Sequence, residues 1–222
     1  MTFAESERCR GAGTLPEKSV VVTFDDGLAS VMKAKPILDK VGFPATIFLI
    51  KKFMEEDQLP HNDAVSSSVL ASGHASELRR LDWTAVEVLV EGGWEVGSHT
   101  VTHPVLPNLG DDELTVELES SRAWIAECLG RCETLAYPYG RADERVASAA
   151  EKAGYLAACT LTGAHLVDES YRRPRLELHE ADVGLRLAAK VSPPSMALRR
   201  SVIAKAVHHL RRRRNWLPRA KA

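Results

Sequence analysis

Apolar positions along the chain fall into short runs separated by stretches with helical spacing. Residues 19–24 (SVVVTF), 45–50 (ATIFLI), 94–97 (WEVG), 134–137 (TLAY) and 155–160 (YLAACT) have strand length and are apolar or β-branched, and 175–178 is a possible sixth strand. Between them lie amphipathic segments. Residues 30–41 place Val31, Ala34, Ile37, Leu38 and Val41 on one face, with Pro36 in a first turn or at a kink and Gly42 as a C-cap. Asp82 caps a helix that begins at Trp83 and stops at Gly92-Gly93. Residues 111–129 form the longest predicted helix, acidic at its start and ended by Gly130, and 143–153 closes at Gly154. Residues 51–81 are polar without period and read as a surface excursion. Strand and helix alternate throughout, which predicts parallel strands with crossover helices. An open doubly wound sheet and a (β/α) barrel both satisfy it.

After residue 182 the pattern changes. Residues 184–191 can form a helix, Pro193-Pro194 breaks it, and 195–214 read as a basic helix. Residues 183–222 hold 11 Lys/Arg and no Asp or Glu, so the formal net charge of -1 hides an acidic segment 1–182 joined to a basic one. The expected organisation is a catalytic domain over 1–182 and a basic helical segment or tail over 183–222. That tail reads first as solvated, next as a peripheral contact of 195–222 with an anionic membrane, and least as a nucleic-acid binder. No run approaches the ~18 apolar residues of a membrane span, and residues 1–18 lack an apolar leader core, so the sequence as written is expected in the cytoplasm unless its true start lies upstream. The four cysteines are too scattered for a disulfide scaffold or a zinc ribbon and are expected as reduced thiols.

Three predicted strand ends carry polar groups that packing alone would not need. Asp25 and Asp26 follow the first strand; bare and buried they would repel, and a cation beside them relieves that cost, although a solvated turn is the plain alternative. His99 and His103 follow the third strand, four apart, a spacing that suits one metal ion when the segment turns helically. Tyr137-Pro138-Tyr139-Gly140 follows the fourth. Its aromatics, with Trp83, are candidates to wall a groove for a sugar face, or else belong to the core. In parallel α/β folds such sites collect at the C-terminal strand edge.

Taken in order, TFDDG, SHTVTH and AYPYG resemble the polysaccharide deacetylase family, the metal-dependent carbohydrate de-N-acetylases, over roughly residues 15–182. Flanking phrases agree: Pro36-Ile37-Leu38, Phe43 to Phe48, Gly93 to Gly97, and Arg173 to Leu178. The resemblance implies a distorted (β/α) barrel with fewer than eight strands, its first strand missing or altered. It implies that Asp26, His99 and His103 hold a metal, usually zinc, although this ligand set also suits cobalt, nickel or iron. It implies Asp25 as general base, the Tyr139 backbone N–H as oxyanion donor, and Arg175 as orienter of Asp25 or substrate. The implied reaction is hydrolysis of an N-acetyl group on an amino-sugar polymer or its precursor by metal-activated water, releasing acetate.

The chain departs from that pattern in two places. Ala136 stands where other branches carry arginine, which leaves Arg175 as the substitute. The leaving-group acid has no clean match: Leu178-His179-Glu180 fits a late histidine motif loosely, and the 24 residues before Asp25 contain no Tyr-His pair. The acid is expected first from a truncated or divergent N-terminus, its strand encoded upstream of the present start, and next from His179 or a loop histidine (His61, His74 or His165). The alternative is a weakened or inactive homologue that binds glycan.

Overall fold

A computed structural model describes residues 1–56, 78–161 and 170–192 of the 222-residue chain. The first element is α1 (Phe3–Gly11), followed by strand β1 (Val22–Phe24), a 3-10 turn (Ala29–Lys33), α2 (Lys35–Lys40), β2 (Ala45–Leu49) and α3 (Lys51–Glu56). Then come α4 (Trp83–Glu91), β3 (Glu95–Ser98), a 3-10 turn (Leu106–Asn108) and α5 (Asp111–Leu129). The chain continues through β4 (Thr134–Ala136), a 3-10 turn (Pro138–Gly140), α6 (Glu144–Lys152), β5 (Ala157–Leu161), β6 (Arg173–Arg175) and α7 (Gly184–Val191). The six strands form one all-parallel sheet in sequential order, β1 to β6. Helices follow strands as the alternating pattern requires, and the sheet is the distorted barrel with fewer than eight strands that the motifs imply.

Alternation along each strand divides the core in two. Ala45, Ile47 and Leu49 of β2, Val96 of β3, Leu135 of β4 and Ala158 of β5 face the helices and share one apolar cluster with Leu89, Leu114, Leu118 and Val146. Phe48, Ala136, Ala157 and Cys159 point the other way, into the concave side of the sheet. One large ring among small side chains fills that interior. Gly97 lies against it: an added Cβ would sit 2.6 Å from the Phe48 ring.

α1 closes the N-terminal end of this interior, where the motifs imply a missing or altered strand. Phe3 packs edge-on to Phe48, and its N–H donates to Thr46 Oγ1. The Ala4 N–H donates to Glu95, whose carboxylate also accepts from Thr46 and Thr134. Glu7 forms a buried ion pair with Arg173 of β6 at 2.8 Å. The helix went unread because it is polar all round, although Thr2 and Glu5 form a capping box at its start. α3 was likewise concealed in the aperiodic stretch.

Other boundaries moved for physical reasons. The predicted 30–41 helix is split, because Pro36 lacks an N–H and is accepted in the first turn of α2. β6 lies two residues earlier than its motif suggested. It is an edge strand, where Pro174 is tolerated. α4, α5 and α6 match their predicted ends, capped by Asp82, Gly130 and Asp143.

α7 buries no residue, Leu185 is 90% exposed, and Lys190 and Arg186 pair with Asp182. The rest of the basic segment, including the membrane candidate 195–222, lies outside the described residues, as do His61, His74 and His165. No described helix is long and apolar enough to cross a membrane. All four cysteines are free.

Candidate active site

The C-terminal ends of β1, β3 and β4 deliver the three motifs to one place. Asp26 Oδ1 lies 3.4 Å from His99 Nε2 and 3.6 Å from His103 Nε2, and one ligand atom from each of the three falls within 4.8 Å of the others. His99 Nδ1 is 2.7 Å from the Ala136 carbonyl. A carbonyl only accepts, so Nδ1 carries a proton and Nε2 is the nitrogen turned to the cluster, where burial of the ring is outweighed by Asp25 and Asp26, which raise its pKa. At 3.4 Å, Nε2 and the Asp26 carboxylate oxygen share something positive, a proton on the imidazole or a metal cation in its place. Burial and the neighbouring His99 push His103 down to about 4, which keeps its ring neutral and able to ligate. The donor set fits a divalent transition metal.

Asp25 stands beside this cluster, its Oδ2 3.9 Å from His99 Nε2. Arg175 grips it in bidentate fashion at 2.6 and 2.8 Å and also reaches Thr23 Oγ1 at 2.9 Å. Burial raises the Asp25 pKa, but the guanidinium of Arg175 and the two imidazoles outweigh it and hold the carboxyl below its ordinary value. The guanidinium lies over the Phe48 ring, 5.5 Å from its centroid. Arg175 thus spans from β6 to β1, edge to edge across the curled sheet.

Backbone strain concentrates here. Among the described residues, Asp26, Thr100, His103 and Tyr139 are the positive-φ non-glycine residues, at 72°, 73°, 59° and 57°, and all four belong to the three motifs. The 99–103 loop is held from two sides. Its carbonyls at Thr100 and Val101 accept the first N–H groups of α3, from Lys51 and Lys52. Its N–H groups at Val101 and Thr102, with the Thr102 hydroxyl, all donate to Glu117 of α5. Sequence reasoning passed over Glu117. The available signal was an acid on the same α5 stripe as Leu114, Leu118, Ser121 and Ile125.

The aromatic candidates divide. Tyr139 is 37% exposed, with its ring 4.7 Å from that of His103. Tyr137 is fully buried and donates its hydroxyl to the Tyr171 carbonyl, and Pro138 is buried behind it, so both side chains belong to the core rather than a groove wall. Trp83 packs edge-on to Trp124 in the helical layer, away from the role expected of it, because an indole at the start of α4 finds its apolar partner on α5. His179 does not join the cluster. Its imidazole is 61% exposed and 3.8 Å from Glu177, and its N–H donates to Asp182, because β6 ends at Arg175 and leaves His179 beyond the strand edge.

The comparisons with known proteins agree with this arrangement. The family model for polysaccharide deacetylase matches residues 12–158. YxkH of Bacillus subtilis is 30% identical over 141 residues, covering 63% of this chain and 43% of that protein. A Staphylococcus aureus poly-beta-1,6-N-acetyl-D-glucosamine N-deacetylase is 28% identical over 167 residues, covering 69% of this chain and 51% of the relative. The chain therefore spans about half the length of these relatives. Among solved structures, the Streptococcus pyogenes deacetylase PplD superposes with a TM-score of 0.70 at 24% identity, over 87% of this chain and 79% of that one. IcaB from Ammonifex degensii superposes with a TM-score of 0.65 at 23% identity, over 90% and 82%. With the three motifs meeting at one strand edge and the family model spanning most of the sheet, the chain belongs to the polysaccharide deacetylase family.

Proposed function

We propose that this chain is a metal-dependent carbohydrate de-N-acetylase that removes N-acetyl groups from an amino-sugar polysaccharide or its precursor. The carrying observation is the Asp26–His99–His103 cluster with the Asp25–Arg175 pair directly beside it. A divalent metal, zinc in the first instance, held by Asp26, His99 and His103 would polarise the acetamide carbonyl and acidify a water molecule. Asp25 takes the proton of the attacking water. Both its oxygens already accept from Arg175, but an ionised carboxylate has about four lone-pair sites, so a further partner fits. Arg175 fixes the direction in which that proton is received. The backbone N–H of Tyr139 is assigned to the oxyanion of the tetrahedral intermediate, and its exposed ring to the sugar face. The Staphylococcus aureus relative is a poly-beta-1,6-N-acetyl-D-glucosamine N-deacetylase, which makes such a polymer the first substrate to try.

Acetate release from an N-acetylglucosamine oligomer, measured with zinc and after chelation, tests this reading. Activity should require the metal and should disappear in His103→Ala. One observation favours the second reading, a glycan-binding homologue with weakened catalysis: among the described residues, no histidine other than the two ligands stands at the cluster to protonate the leaving amine. Glycan binding without acetate release at saturating zinc would select it. The basic segment 183–222 is read as a solvated tail with anionic membrane contact as its alternative, and salt-sensitive co-sedimentation with anionic vesicles separates the two.

A further inference from the structure

We infer that Glu117 is a positioning residue for the metal ligands, one that sets how tightly the Asp26–His99–His103 site holds its ion. This rests on the metal-site reading above. Glu117 is nearly buried, and its carboxylate takes three hydrogen bonds, all from the turn between the two histidines: Val101 N–H at 2.8 Å, Thr102 N–H at 2.9 Å and Thr102 Oγ1 at 2.6 Å. It makes no ion pair among the described residues. A buried carboxylate with no cationic partner is costly, yet this one lies one short turn from the place where a cation is expected.

The turn needs such a restraint. Thr100 and His103 bracket residues 101–102, and both hold positive φ, a conformation that persists only where the surroundings over-determine it. Glu117 satisfies both N–H groups of the intervening residues at once. One helical turn further along α5, Ser121 Oγ meets Ser98 Oγ at 2.8 Å, and Ser98 Oγ in turn accepts the Thr100 N–H. Two residues at i and i+4 on one helix thereby grip the start and the middle of the ligand loop. The conformation that directs His99 and His103 at Asp26 is maintained from α5, and a negative charge is fixed next to the ligand set. Both effects favour a bound cation.

The test is a zinc titration of the whole chain against a chromophoric chelator, with the melting temperature of the metal-free protein measured in parallel. Glu117→Gln keeps the shape and can still accept both N–H groups on its amide oxygen, but it removes the charge and reverses the Thr102 contact, whose hydroxyl must then accept from the amide NH₂. Its zinc Kd is expected to rise about 10- to 100-fold, the range typical of partners that orient metal ligands. Thr102→Val removes only the hydroxyl contact and should raise Kd by a smaller factor. It serves as the probe if Glu117→Gln does not fold. Cobalt-loaded Glu117→Gln should also show a shifted visible absorption band. A lowered melting temperature with wild-type zinc Kd and an unchanged cobalt spectrum would mean that Glu117 merely braces the fold, and would overturn the inference. If the wild-type chain itself binds no zinc, the metal-site reading fails first, and that result is distinguishable because it precedes any comparison of variants.

Discussion

Asp25 must be ionised to receive a proton, yet Arg175 holds it below the ordinary carboxylate range. Its strength as a base therefore depends on how well that clamp is built. Replacing Asp25 by Asn should lower kcat by about 10²- to 10⁴-fold with zinc affinity little changed, since the general base is lost and the ligands stay. Arg175→Lys keeps a charge but cannot make two parallel bonds to Asp25 and a third to Thr23. It should reduce kcat/KM while leaving the zinc Kd near the wild-type value. Single-turnover acetate release beside chelator competition separates these outcomes. That Asp25, Asp26, His99 and His103 come together was legible in the sequence because the pattern is local: adjacent carboxylates and histidines four apart, each after an apolar run. Glu117 and Thr23 were not, since each acts through a partner distant in the chain. Tyr137 lies in the core because an aromatic inside a motif looks the same in sequence whether it faces sugar or core.

At the scale of elements, α1 and β6 are joined through the Glu7–Arg173 pair, with both side chains largely buried. Removing Glu7 takes a charged hydrogen-bond partner from the largely buried Arg173 guanidinium, so Glu7→Ala should cost about 2 kcal/mol, measurable by denaturant unfolding. Gly97→Ala drives a methyl into the Phe48 ring and should cost about 1–3 kcal/mol. Because that ring lies beneath Arg175, this substitution should also depress acetate release. Strands and crossover helices were readable from periodicity and caps. The element that closes the barrel interior was not, because α1 has no apolar face to advertise: it docks through hydrogen bonds, one phenylalanine and ion pairs.

For the molecule as a whole, buried thiols set an alkaline limit. Burial pushes Cys132 and Cys159 up to about 12. A folded-state pKa raised above the unfolded value of about 8.5 stabilises the fold fully below that value, and the contribution is lost as pH rises through the folded pKa. The melting temperature should therefore decline between about pH 9 and 12, and Cys159→Ala should flatten that decline. A thiol reagent at pH 8 should leave both cysteines unmodified until denaturant is added. The curled sheet has a further consequence. Its two edge strands meet through a guanidinium rather than a hydrogen-bonded ladder, and the contact from Arg175 to Asp25 spans 150 positions of sequence. The three candidate metal ligands are all in the chain by residue 103, whereas Arg175, which grips the proposed base, arrives only with the last strand. Under the proposed function, the groups that would hold and orient the ion, Glu117 and the Ala136 carbonyl included, are thus all made before the group that orients the base.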